Sequence, residues 1–126
     1  MESLSAGFTA FKSDFGGKLD ICVPCAGINR NLGFLETSFE DYQKLLGVNV
    51  TGVYYTAQLA AKQMIENGTK KGSIVLVASI ASYMAIRSQM SSAYCGTKGA
   101  VRAMVPAIAA ELVQYVSLIY IYTHLA

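Results

Sequence analysis

Tyr94 and Lys98 stand four residues apart, the spacing that puts two side chains on one side of a helix. A free phenol has a pKa of about 10 and is a poor base at neutral pH. An ammonium one helical turn away favours the phenolate and so makes a tyrosine usable as an acid/base group. With eight tyrosines in the chain the spacing alone decides nothing, and a solvated lysine beside an interfacial tyrosine is the plain alternative. Position adds to it: a buried-looking strand, IVLVA, ends at Ser79 shortly before that helix begins. The junction of a strand end with a helix start is where open α/β sheets bind ligands. A serine hydroxyl there could hydrogen-bond a substrate carbonyl or alcohol oxygen while the tyrosine moves a proton.

Cys22-Val-Pro-Cys25 is the other reactive-looking pair. A redox dithiol needs its first cysteine at a helix N-terminus. Here both fall at a strand end, where an odd separation points them to opposite faces. Small buried apolar residues are the better reading. With Cys95 the count is odd, and no basic-then-apolar leader precedes the strand, so a reducing cytoplasm is expected. No metal ligand set is expected.

The elements that must place these residues follow from periodicity. Leu4, Phe8, Phe11 and Phe15 predict a helix over about 3–15, stopped by Gly16-Gly17. Leu19–Pro24 predicts a strand buried on both faces. Ser38 with Asp41 forms a capping box (Thr37 with Glu40 serves equally well), opening a helix to about Asn67 and Gly68. Gly47 and Gly52 weaken that helix and permit close approach of another backbone. Ser73–Ala78 predicts a second strand. A helix from about Ser92 follows, with Pro106 expected to kink it. VSLIYIY after Gln114 predicts a third strand. The alternation implies α/β with a parallel sheet and, through right-handed crossovers, helices on both faces.

Composition sets the bounds. The chain has 126 residues, enough for one domain; 53% are hydrophobic and 14% charged. Its mean hydropathy is +0.39, greasy for a small domain, which implies surface meant to be covered. A net charge of +2 with scattered basic residues gives no nucleic-acid footprint. No apolar run is long enough to span a membrane. Asn49-Val-Thr51 and Asn67-Gly-Thr69 match the glycosylation pattern but carry little weight in a cytoplasmic chain.

Taken together these segments resemble the middle of a short-chain dehydrogenase/reductase. FGGKLDICVPCAG resembles the family's strand with its N-A-G ending. LETSFEDYQKLLGVNVTGVYYTAQ resembles the following helix with its central asparagine, Asn49. GSIVLVASIASYMAIRSQMSSAYCGTKGAV resembles the serine strand and the Tyr-x-x-x-Lys helix. The likeness covers about residues 8–112, in family order and spacing, whereas 115–126 is atypical. It implies a single partial domain over 1–126 with a truncated, Rossmann-like, doubly wound parallel sheet.

The resemblance implies reversible hydride transfer between NAD(P), with NADP slightly preferred, and a secondary alcohol or ketone. It implies that Tyr94 is the acid/base and that Lys98 tunes it and binds the nicotinamide ribose. Ser79 would orient the substrate, and Asn49 would hold a proton-relay water. Cys25, Ala26 and Gly27, with Asn49, Tyr94 and Lys98, would line the cofactor. Ser79 lies fifteen residues before Tyr94, and Ser82, at twelve, is the rival; the longer spacing resembles polyol and sugar-ketone reductases. It also implies a small-molecule substrate and a homo-oligomer through helices 39–67 and 92–112.

The departures are as telling. The eleven glycines never form T-G-x-x-x-G-x-G, the turn that brings backbone to the cofactor pyrophosphate. Cys25 replaces the N-A-G asparagine, and nothing downstream resembles the strand and P-G that close the nicotinamide pocket. A catalytically incompetent fragment or interaction piece is therefore the alternative expectation, and a thiol redox protein the last.

Overall fold

In a computed structural model, residues 2–85, 87–115 and 118–122 are described. Helix α1 (Glu2–Phe15) leads to a two-residue strand β1 (Ile21–Cys22). Helix α2 (Phe39–Leu46) continues through a π-helical turn (Gly47–Gly52) into α3 (Val53–Glu66). Strand β2 (Ser73–Val77) ends in a short 3₁₀ turn (Ile80–Ser82); α4 (Ser92–Leu112) and β3 (Leu118–Tyr122) follow. The three strands are parallel in the order β1-β2-β3.

The stops are those the sequence dictates. Gly16 and Gly17 take φ of 67° and 73°, and Gly68 takes 65°, values that favour glycine. The Ser38 hydroxyl caps α2, accepting from the Asp41 N–H at 3.0 Å and donating to the Asp41 carboxylate at 2.8 Å. Helix α4 runs through Pro106 as one element.

Two expectations are corrected. The strand predicted over Leu19–Pro24 pairs only at Ile21↔Ser73 and Cys22↔Ile74. Among the described residues β2 is its one neighbour, and Pro24 has no N–H to extend the ladder. Nor do helices cover both faces. Ile74, Leu76 and Ala78 form the core with Val53, Ala57, Ala60 and Met64 of α3 and Val101 of α4. Ser73, Val75 and Val77, pointing the other way, are only half-buried. The reason is geometric: two right-handed crossovers that advance in the same direction put their helices on the same side, and only a reversal of strand order moves one across.

Helix α1 joins this layer through Phe8, packed against the core, and a Lys12–Glu66 ion pair at 2.6 Å. The Gly17 carbonyl accepts from the side-chain amides of both Gln63 and Asn67, tying the turn after α1 to the end of α3.

Candidate active site

The site is built where β2 ends and α4 begins. Burying Ile74 and Leu76 against α3 and α4 fixes the end of β2 beside the first turns of α4. On α4, Thr97, Lys98 and Val101 face inward and are buried, while Tyr94, one turn earlier, is half-buried. A cleft of about 380 Å³ opens there. Its walls include Cys25, Gly27 and Ile28 after β1, Val77 and Ser79 at the end of β2, and Tyr94 and Lys98 of α4.

Lys98 is 4% exposed, and its ammonium donates to the Val77 carbonyl at 2.9 Å. The same Nζ lies 5.8 Å from the centroid of the Tyr94 ring. Burial pushes the Lys98 pKa below its ordinary range, and the neighbouring Cys25 thiol offsets this in part. Ser79 Oγ accepts from the Ala81 N–H at 3.2 Å, capping the 3₁₀ turn and leaving its own O–H to donate. Ser82, the rival serine, does not line this cleft; it lines a neighbouring one, and its Oγ is buried with no partner.

Asn49 is fully buried in the π-helical turn, and its side chain is saturated. Its Oδ1 accepts from the Ile28 N–H at 2.8 Å. Its Nδ2 donates to the Ile28 carbonyl at 2.8 Å and to Thr97 Oγ1 at 3.0 Å. Thr97 in turn donates to the Tyr94 carbonyl at 2.8 Å. Asn49 thus ties the loop after β1 to the turn that carries Tyr94 and Lys98, and it does not line the cleft itself. The π turn, flanked by Gly47 and Gly52, places it; a Cβ on Gly52 would come 3.4 Å from the Gly47 carbonyl.

The structure therefore brings Tyr94, Lys98, Ser79, Cys25 and Gly27 to one cleft and sets Asn49 behind it. Ala26 is exposed and outside the lining. Thr97 escaped the sequence reading, although its place between Tyr94 and Lys98, on the inward side of a helix, was a signal. The backbone groups of Ile28 and Val77 had none, because main-chain partners leave no residue type to read. The cysteines show no dithiol character: both are free, burial raises the Cys22 pKa, and Cys25 lies past the end of β1 rather than at a helix start.

The residues fit the nicotinamide side of a dinucleotide. Gly27 leaves room beside the ammonium, since a Cβ there would lie 3.5 Å from Lys98 Nζ and 3.6 Å from Asn49 Oδ1. They do not extend to a pyrophosphate cradle, for which the chain has no glycine-rich turn.

Comparison with known proteins agrees with this arrangement. Residues 1–124 match the short chain dehydrogenase family. A sorbose reductase of Schizosaccharomyces pombe is 37% identical over 99 residues, which are 78% of this chain and 38% of that protein. A D-threitol dehydrogenase of Mycolicibacterium smegmatis is 34% identical over 109 residues, 86% of this chain and 40% of that one. Among solved structures, a short-chain type dehydrogenase/reductase of Mycobacterium marinum superposes with a TM-score of 0.85 at 33% identity, over 90% of this chain and 45% of that one. A gluconate 5-dehydrogenase of Burkholderia cenocepacia, in complex with NADP and tartrate, gives 0.80 at 29% identity, over 97% and 48%. The chain spans less than half the length of each. It is a member of the short-chain dehydrogenase family.

Proposed function

We propose that this chain carries the proton-transfer half of an NAD(P)-dependent oxidoreductase site that interconverts a secondary alcohol and a ketone. The observation that supports it most is the buried Lys98 ammonium, anchored on the Val77 carbonyl and 5.8 Å from the Tyr94 ring, in a cleft that Ser79 also lines. When bound, the nicotinamide group supplies or accepts the hydride. Tyr94 gives the proton to the carbonyl oxygen in reduction and takes it from the hydroxyl in oxidation. The Lys98 ammonium favours negative charge on the phenol oxygen during that exchange and offers donors to ribose hydroxyls. The free O–H of Ser79 donates to the reacting oxygen. Gly27 and Cys25 form the wall against the nicotinamide side.

The roles differ for Asn49 and Ala26. With the Asn49 side chain committed to Ile28 and Thr97, a relay water would be held by main chain of the π turn, not by the amide. Ala26 serves as backbone in the wall. NADP over NAD is supported by the gluconate 5-dehydrogenase, while a neighbouring 4-hydroxyisoleucine dehydrogenase is complexed with NADH. The polyol or sugar-ketone expectation has support in the names of the sorbose and threitol relatives.

A second reading, an incompetent fragment or interaction piece, is favoured by the apolar surface left open. Ile21 and Val23 are 64% and 50% exposed at the sheet edge, and Phe34, Leu35 and Phe39 lie more than three-quarters exposed near the start of α2. Under this reading the chain docks on a relative, or on itself, through 39–67 and 92–112. Titrating the purified chain with NADPH and NADH decides between the two. Quenching or enhancement of the dihydronicotinamide fluorescence, weakened in Lys98→Met, supports the site. No change at millimolar cofactor, together with self-association in sedimentation, supports the fragment.

A further inference from the structure

A second cleft, of about 770 Å³, adjoins the first: Ala81 and Gln89 line both. Its other walls are Phe34 from the loop after β1, Tyr83 and Met84 after the 3₁₀ turn, and Met90 and Cys95 at the start of α4, among small and polar residues. No Lys, Arg, His, Asp or Glu is among them. The Arg102 guanidinium lies outside this lining, 4.5 Å from the centroid of the Tyr83 ring, and holds that ring in place. Two methionines, a phenylalanine, a tyrosine and a thiol give an adaptable, polarizable wall suited to flat apolar groups.

One polar atom there is unpaid. Ser82 Oγ is the buried side-chain oxygen or nitrogen that has no hydrogen-bond partner among the described residues, and Ser82 lines this cleft. Ser79, three residues earlier, already has the Ala81 N–H as a partner and sits in the other cleft. A buried hydroxyl without a partner is unfavourable, and a ligand group that pairs with it recovers that loss. A turn about its χ1 presents it to the cleft.

We propose that this second cleft receives the body of the substrate, that this body is uncharged and largely apolar, with a ring, and that it carries a hydrogen-bonding substituent read by Ser82. The proposal rests on the carbonyl chemistry placed at Tyr94 and Ser79 only for which end of the substrate points inward. A sugar acid would find no countercharge. A polyol would set most of its hydroxyls against methionine and aromatic carbon, leaving them unpaired.

The test reads binding without cofactor or turnover. The purified chain, labelled with methyl-¹³C methionine, is titrated with 1-tetralone, its 5-, 6- and 7-hydroxy derivatives, L-sorbose and D-gluconate. The expected result is movement of the Met84 and Met90 methyl signals by the tetralones, with the buried Met64 signal still. The best hydroxy isomer binds about five- to tenfold tighter than 1-tetralone. Ser82→Ala removes that advantage, leaving 1-tetralone itself unchanged, and Ser82→Thr retains it. An unmoved Met64 signal reports that the variants are folded. The proposal is overturned if sorbose or gluconate moves Met84 and Met90 and the tetralones do not. It is equally overturned if no tetralone moves them, if no hydroxy isomer gains over 1-tetralone, or if Ser82→Ala preserves the gain. An inactive chain that still binds the tetralones in this pattern refutes the hydride-transfer reading and keeps this one; an active chain with the reverse pattern does the opposite.

Discussion

On one face of the sheet Ile74, Leu76 and Ala78 are between 0% and 3% exposed beneath α3 and α4; on the other, Val75 and Val77 are half-buried and Ile21, on the same side as Val75 by register, is 64% exposed. The same strands and similar residue types end in different states because successive crossovers in one direction cover one side. Every group that positions Tyr94 and Lys98 belongs to the covered layer: the core around Leu76, the Val77 carbonyl, and the Asn49–Thr97 link. The acid/base half of the site is therefore independent of whatever meets the open face, while cofactor affinity beyond the nicotinamide side is not.

Unequal mutational costs are the sharpest way to break that contrast. Leu76→Ala opens a cavity between β2, α3 and α4 and is expected to cost about 2–5 kcal/mol in urea unfolding. Val75→Ala, one residue away on the open face, is expected to cost less than about 1 kcal/mol. Equal costs would mean that both faces are packed.

Next in size is Asn49→Ala. It leaves the Ile28 N–H and carbonyl without their partners and is expected to cost about 1–3 kcal/mol, with faster amide exchange at Ile28. Ser79→Ala, which loses one half-buried cap at the cleft, is expected to cost under about 1 kcal/mol. Comparing the two separates the group that builds the site from one that acts in it.

The adjacent glycines after α1 give a smaller contrast. Gly16 and Gly17 both have positive φ, but a Cβ on Gly17 meets Gln63 Nε2 at 2.9 Å and one on Gly16 meets open space. Gly16→Ala is expected to cost about 1 kcal/mol from backbone strain alone, and Gly17→Ala more, read as thermal unfolding. Equal costs would show that α1 is not held against α3.

The smallest effect is a pH slope. Burial lowers the Lys98 pKa in the folded chain, so between that value and its unfolded value the unfolded chain holds the extra proton. Stability from this residue therefore rises with pH across that window. Cys22, whose pKa burial raises, acts in the opposite sense at alkaline pH, so the reading is the difference between wild type and Lys98→Met. That difference should grow with pH in favour of wild type; a flat difference would place Lys98 in solvent.

Much of this was legible in the sequence for identifiable reasons. Glycines at 16, 17 and 68 and the Ser38–Asp41 box are local devices, and they act where they stand. The Tyr94–Lys98 spacing needed only a helix to become a shared face. What stayed hidden is non-local. The extent of β1 depends on its neighbours, and the one-sided layer depends on strand order. The partners of Asn49 lie 21 and 48 residues away in the chain. Because those bonds take up its amide, the water-relay role expected for Asn49 moves to backbone.

Reduced nicotinamide mononucleotide tests the central claim most directly, since it carries the nicotinamide and ribose without the adenosine half that a glycine-rich turn would hold. The measurement is its oxidation, followed at the dihydronicotinamide absorbance, by the purified chain with 1-tetralone as ketone. The account predicts turnover above the protein-free rate that falls at least about 100-fold in Tyr94→Phe, the loss expected for a positioned proton donor. Turnover that Tyr94→Phe leaves intact would contradict it.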